Sequence, residues 1–134
     1  MTNQTSNSSQ LYKRLVDTAR QAAKHSYAPN SKYPVGAAVL ATDGTIFSGC
    51  NVENSNMGSS ICAERTAFVK AVSEGHRSFT AVAVATKNPG GWPCGVCRQF
   101  MVEFGRDITV VVEDGAGNIK TARLGDLLPS VQKV

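Results

Sequence analysis

Pro34-Val-Gly-Ala-Ala-Val-Leu-Ala41, Thr42-Asp43-Gly44 and Thr45-Ile-Phe-Ser-Gly-Cys-Asn-Val-Glu53 form two strand-prone runs with a turn between them. Asp43-Gly44 supplies the positive φ angles of a tight hairpin, so the pair is expected to start a sheet. Upstream, Leu11, Leu15, Val16, Ala19, Ala22 and Ala23 recur at three- and four-residue spacings. That spacing puts one apolar stripe on a helix that ends before Pro29 and covers the sheet. Residues 1–10 are nearly all Ser, Thr, Asn and Gln and are expected to form a disordered polar tail.

Downstream of the hairpin, a Ser/Asn/Gly-rich loop at 54–60 leads into a helix expected from Cys62 to Glu74. Ser59 or Ser60 is its expected cap, Gly75 its stop, and Ala67, Phe68, Val69, Ala71 and Val72 its core face. Ala81-Val-Ala-Val-Ala is a near-continuous apolar run, the mark of an interior strand. The turn-rich Asn88-Pro-Gly-Gly-Trp-Pro follows, then a helix from about Cys94 to Gly105 and a buried strand over Ile108–Val112. Ile119–Arg123 reads as a polar edge strand and Leu124–Leu128 as a short closing helix. The expected fold is α/β, a three-layer α/β/α arrangement around a mixed five-stranded sheet, with residues 11–134 as one catalytic domain.

The chain has 134 residues, 42% hydrophobic and 18% charged, ordinary values for one domain that buries its own core. No apolar run approaches the eighteen or so residues of a membrane span, and MTNQTSNSSQ lacks the basic and apolar regions of an export signal. A cytoplasmic protein with no membrane partner is expected, and the sequons at Asn3 and Asn7 are read as chance matches. The net charge is +4 and the pI about 9.0, but the basic residues are scattered, so no nucleic-acid partner is expected. In such a chain Cys50, Cys62, Cys94 and Cys97 point to metal or redox chemistry rather than to a disulfide framework.

Cys62-Ala63-Glu64 and Pro93-Cys94-Gly95-Val96-Cys97 each open an expected helix. Helix N-termini carry partial positive charge and unpaired N–H groups, which favour the thiolate form that binds metal. Three thiolates on one zinc leave a fourth position open, which distinguishes a catalytic from a structural site. Glu64 is then a carboxylate facing the water rather than the metal. The pattern matches the H-x-E…P-C-x-x-C signature of zinc deaminases in its three-cysteine form.

Together with Tyr33-Pro-Val-Gly-Ala-Ala, Gly49-Cys-Asn-Val-Glu-Asn, Cys62-Ala-Glu-Arg-Thr-Ala, Pro93-Cys-Gly-Val-Cys-Arg-Gln and Asp126-Leu-Leu-Pro, these motifs resemble the small homotetrameric zinc-dependent cytidine deaminases from about Leu11 to Pro129. The resemblance implies hydrolytic loss of the 4-amino group of cytidine and deoxycytidine, in pyrimidine salvage. It assigns one zinc per subunit to Cys62, Cys94 and Cys97 and the proton shuttle to Glu64. It also assigns ribose binding to Asn51 and Glu53, the backbone N–H of Ala63 to the pyrimidine O2, and Tyr33 to the base. Three thiolates and Zn²⁺ sum to −1, so Arg65 is expected to draw charge off sulfur, with Arg98 a weaker candidate for the same task. The resemblance further implies a homotetramer with shared active sites and the 54–60 loop near an interface.

Two positions depart from the family pattern. Met57 stands where many members have tyrosine, and Gln132 where an aromatic ring from a neighbouring subunit is usual. They keep a relative acting on a cytosine-containing antibiotic of the blasticidin S type as the alternative. Trp92-Pro-Cys-Gly-Val-Cys-Arg also fits a thioredoxin-like dithiol, which gives no role to Glu64, Asn51 or Glu53. A closed structural zinc module would recruit Cys50 as the fourth ligand. Otherwise Cys50 is a small buried residue, His25 and His76 are surface or helix-end residues, and Trp92 and Phe100 belong to core or interface.

Overall fold

The computed structural model describes residues 4–87 and 91–127. The elements run α1 (Gln4–Ala23), β1 (Val35–Ala41), β2 (Ile46–Cys50), a 3₁₀ turn (Met57–Ser59), α2 (Ala63–Ser73), β3 (Phe79–Thr86), α3 (Gly95–Val102), β4 (Thr109–Glu113), β5 (Ile119–Arg123) and α4 (Leu124–Leu127). The sheet order is β2-β1-β3-β4-β5, antiparallel except for the β3–β4 pair. A parallel pair needs a crossover, and α3 provides it. The mixed five-stranded sheet and its helix layers match the expected fold class.

Alternation along the strands separates two cores. Leu15, Val16 and Ala19 of α1 cover Ala38, Leu40, Ala81, Ala83 and Val111. Ala37, Val39, Val82 and Val110 face the other way, against Ala67, Phe68 and Ala71 of α2 and Met101 and Val102 of α3. Two glycines set how closely the helices approach. A Cβ on Gly36 would overlap the Ala19 carbonyl of α1, and one on Gly49 would fall 2.5 Å from the Ala67 nitrogen of α2.

Several expectations are corrected. The hairpin turn has positive φ only at Gly44, with Asp43 Oδ1 accepting from the Thr45 N–H; Gly44 N–H bonds the Ala41 carbonyl and Ala41 N–H the Thr45 carbonyl. This is a type I turn closed by a left-handed glycine rather than a two-residue turn. The first helix starts at Gln4, not Leu11, so residues 4–10 are helical where a disordered tail was expected. Polar residues lower helix propensity only slightly, and a helix already anchored by Leu15 and Val16 propagates back through them. The cap of α2 is Cys62, not Ser59 or Ser60; Ser60 Oγ instead accepts from the Asn54 N–H. Val69 is 49% exposed because it falls on the side of α2 turned from the sheet. Leu128, Pro129 and Gln132, and the 88–90 part of the turn, lie outside the described residues.

Candidate functional site

The N-termini of α2 and α3 bring together the three cysteines that the motifs single out. Cys62 caps α2, Cys94 caps α3, and Cys97 lies in the first turn of α3. Their sulfurs all lie within 4.8 Å of one another, and Cys94 and Cys97 are 3.4 Å apart. A tetrahedral zinc with bonds of about 2.3 Å separates its sulfurs by about 3.8 Å, so this soft donor set fits zinc in both chemistry and spacing. Cys50, half-buried on β2, is outside the cluster, and the closed four-cysteine module is set aside.

The hydrogen bond from Cys97, followed by those from Arg65 and Cys94, brings Cys62 down to about 5 against the opposing effect of burial. Cys97, the partner that holds the proton, is pushed up. Arg65 donates from Nη2 to the Cys62 sulfur at 3.9 Å and to the Ser60 carbonyl at 3.1 Å. Its buried Nε has no acceptor among the described residues. Arg65 thus places its guanidinium beside the Cys62 sulfur.

Glu64 is the one buried charged residue among those described, at 4% exposure. Burial, and then the Cys62 charge, raises its pKa above the usual carboxylate range. It lines a cavity of about 280 Å³ with Tyr33, Asn51, Cys62, Ala63 and Cys94. Cys62, Ala63, Glu64 and Cys94, four of the residues expected from sequence to hold metal, proton or base, therefore share one cavity with Tyr33 at its wall, and Cys97 lies in the core.

Asn51 and Glu53 do not line that cavity together. β2 ends at Cys50, and Val52 then bridges to Tyr27 and Ile61, so the simple alternation of a strand is lost. Asn51 faces the first cavity, its Oδ1 accepting from the Val35 N–H and its Nδ2 donating to the Tyr33 carbonyl. Glu53 lines a second cavity of about 300 Å³ with Asn30, Ser31, Met57 and Ser60. Its carboxylate accepts from the Ser31 hydroxyl and from the N–H groups of Ser31 and Asn30, which hold its pKa low.

Sequence reasoning missed Val84, Thr86 and Trp92. Trp92, read as core or interface, is 37% exposed and lines the first cavity with Val84 and Thr86. Its place immediately before Pro93-Cys94 was a usable signal. The other two carry none, because the β1–β3 register brings them there. Arg98, the other candidate for drawing charge off sulfur, donates instead to the carbonyls of Pro93 and Leu127. His76 pairs with Asp43 at 3.1 Å and packs on Phe47, while His25 is exposed.

Comparison with known proteins agrees with this geometry. Residues 9–113 match the family model described as the cytidine and deoxycytidylate deaminase zinc-binding region. The chain is 48% identical over 118 residues to a cytidine deaminase of Sporosarcina psychrophila, covering 87% of each. It is more distantly similar, at 31% identity over 135 residues, to a blasticidin-S deaminase of Bacillus cereus, covering 93% of this chain and 94% of that one. Its fold superposes on the crystal structure of a cytidine deaminase from Burkholderia pseudomallei with a TM-score of 0.83 and 42% identity, over 89% of this chain and 97% of the other.

Proposed function

Because the chain belongs to the cytidine and deoxycytidylate deaminases with a zinc-binding region, we propose that it hydrolyses cytidine and deoxycytidine to uridine and deoxyuridine with release of ammonia, in pyrimidine salvage. The observation that carries this reading is three sulfurs within 4.8 Å of one another beside a buried carboxyl at one cavity.

Cys62, Cys94 and Cys97 would hold one zinc, which supplies the Lewis acid that makes water nucleophilic at neutral pH. Glu64 takes a proton from the attacking water and gives it to N3 of the pyrimidine, which makes C4 more electrophilic. The second proton passes through the same carboxyl to the 4-amino group; the C4–N bond breaks, ammonia leaves and the C4 carbonyl forms. A carboxyl whose pKa is raised by burial suits this double task, because it accepts a proton more readily than a solvated carboxylate does.

The Ala63 N–H, the first of α2 and so without an intrahelical acceptor, binds the pyrimidine O2. Tyr33 lies against the base. Asn51 keeps one amide hydrogen and a lone pair beyond its two backbone bonds, and with the ionised Glu53 it holds the sugar hydroxyls. Arg65 offsets the negative charge of three thiolates. The domain functions as a homotetramer with shared sites. Exposed Tyr27, Val52 and Ile61, joined by backbone bridges, support this reading, as does Met57 at 76% exposure in the Glu53 cavity. No helix among the described residues is long and apolar enough to cross a membrane, and we assign the reaction to the cytoplasm, where thiols stay reduced.

The test is ammonia release from cytidine, deoxycytidine and blasticidin S, with zinc measured on the same sample. Release from both nucleosides supports the proposal. Silence on both, with release from blasticidin S, would replace it with the antibiotic-directed activity of the 31%-identical relative and assign that change to Met57 and Gln132.

A further inference from the structure

The three ligand cysteines are not held alike. Cys97 is buried in the core, and Cys62 is half-buried with Arg65 on its sulfur. Cys94 is exposed, and as N-cap of α3 its side chain makes no capping hydrogen bond. Its position depends on the backbone on either side of it, and both flanking carbonyls end on a single residue. The Arg98 N–H donates to the Cys94 carbonyl at 2.9 Å, and Arg98 Nε donates to the Pro93 carbonyl at 2.7 Å. Pro93 has no N–H, so this carbonyl is its only backbone hydrogen-bonding group. The guanidinium is in turn anchored through Nη1 to the Leu127 carbonyl at 2.9 Å, at the end of α4. Leu124 of that helix is fully buried and its N–H bonds the Ile108 carbonyl, so the anchor belongs to the core.

We propose that Arg98 is the positioning residue for Cys94: its guanidinium fixes the peptide plane that precedes the Cys94 Cα against α4, while the helical bond from its own N–H holds the plane that follows whatever the side chain, so that the exposed thiol stays in register with Cys62 and Cys97. It acts through the backbone, whereas Arg65 acts on the sulfur. A planar guanidinium makes the Pro93 and Leu127 bonds at once; a lysine ammonium, a single point donor on a flexible stem, holds one of them well. The inference rests on the reading of the three cysteines as a zinc site.

The test uses zinc-loaded wild type, Arg98→Lys and Arg98→Ala. The readouts are the rate of zinc transfer to a chromophoric chelator, the visible spectrum of the cobalt(II)-substituted proteins and the melting of the metal-free proteins. Partners that orient metal ligands are worth roughly ten- to a hundredfold in metal affinity, so Arg98→Ala is expected to release zinc about ten to a hundred times faster, with Arg98→Lys in between. The thiolate-to-cobalt absorption weakens in the same order. Wild-type release rates and spectra in the variants overturn the inference. So does faster release with an unchanged cobalt spectrum and a matching fall in metal-free melting, which describes a merely structural residue. If Arg98→Ala does not fold, Arg98→Lys decides alone, and wild-type behaviour there overturns the inference. A wild-type chain that takes up neither zinc nor cobalt overturns the functional reading itself.

Discussion

Helices cover both faces of the sheet, yet the candidate site lies on only one of them. Under α1, Leu15, Val16 and Ala19 meet Ala38, Leu40, Ala81 and Ala83, and no charged group is buried among the described residues. Under α2 and α3, Phe68, Met101 and Val102 pack as tightly, but Glu64 is buried with them, and both helices turn their N-termini and their cysteines toward one cavity. One face therefore stabilises the sheet, while the other stabilises it and also holds the three clustered cysteines and the carboxyl proposed as proton carrier. Substitutions on the two faces should then separate stability from activity.

The largest effect is expected at Phe68, fully buried and packed edge-on against Phe79 at 4.9 Å. Phe68→Ala should cost about 3–5 kcal/mol in denaturant unfolding and should lower zinc content and ammonia release as well, since α2 carries both Cys62 and Glu64. Leu15→Ala, on the opposite face, should cost about 2–5 kcal/mol yet leave zinc stoichiometry and turnover per folded molecule at wild-type values. Loss of zinc from Leu15→Ala would break the separation of the two faces.

Arg65→Gln sharpens the comparison within the active face. It should keep stoichiometric zinc and move the pH–rate profile toward higher pH, because the charge of the thiolates is no longer offset. An unchanged profile would remove Arg65 from the account. The smallest effect is expected where α1 meets β4. Glu113 accepts from Lys13 at 2.8 Å and also pairs with Arg20. The Lys13 hydrogen bond leads the causes that hold the Glu113 pKa below the ordinary carboxylate value. A depressed folded-state pKa means that the pair stabilises above the unfolded pKa and that this is lost as pH falls through the folded value. Glu113→Gln should therefore cost less than about 1 kcal/mol at neutral pH, a difference that disappears in acid.

The sequence was informative about this molecule wherever the decisive residues are close along the chain. Asp43-Gly44 marked the hairpin, and the spacing of Cys62, Glu64, Cys94 and Cys97 marked the metal cluster with its acid. It was silent where pairing of distant segments decides: Val84 and Thr86 reach the cavity through the β1–β3 register, where Val35 sits opposite Thr86. That Glu53 lines a different cavity from Asn51 was not legible for a related reason, since alternation along a strand holds only while the strand lasts, and β2 ends three residues before it. The start of α1 was missed because polarity alone does not end a helix, and the Ser60 cap because Ser60 is engaged by the Asn54 N–H.

The central claim is that the buried carboxyl between the two helix N-termini moves the protons of the reaction. Its most direct test is ammonia release from cytidine by wild type and Glu64→Gln at equal, measured zinc content. The account predicts that the variant keeps its zinc, melts no lower than wild type, since an uncharged amide replaces a buried acid, and loses about 10²–10⁴ in rate. A zinc-loaded Glu64→Gln that turns over at the wild-type rate would contradict it.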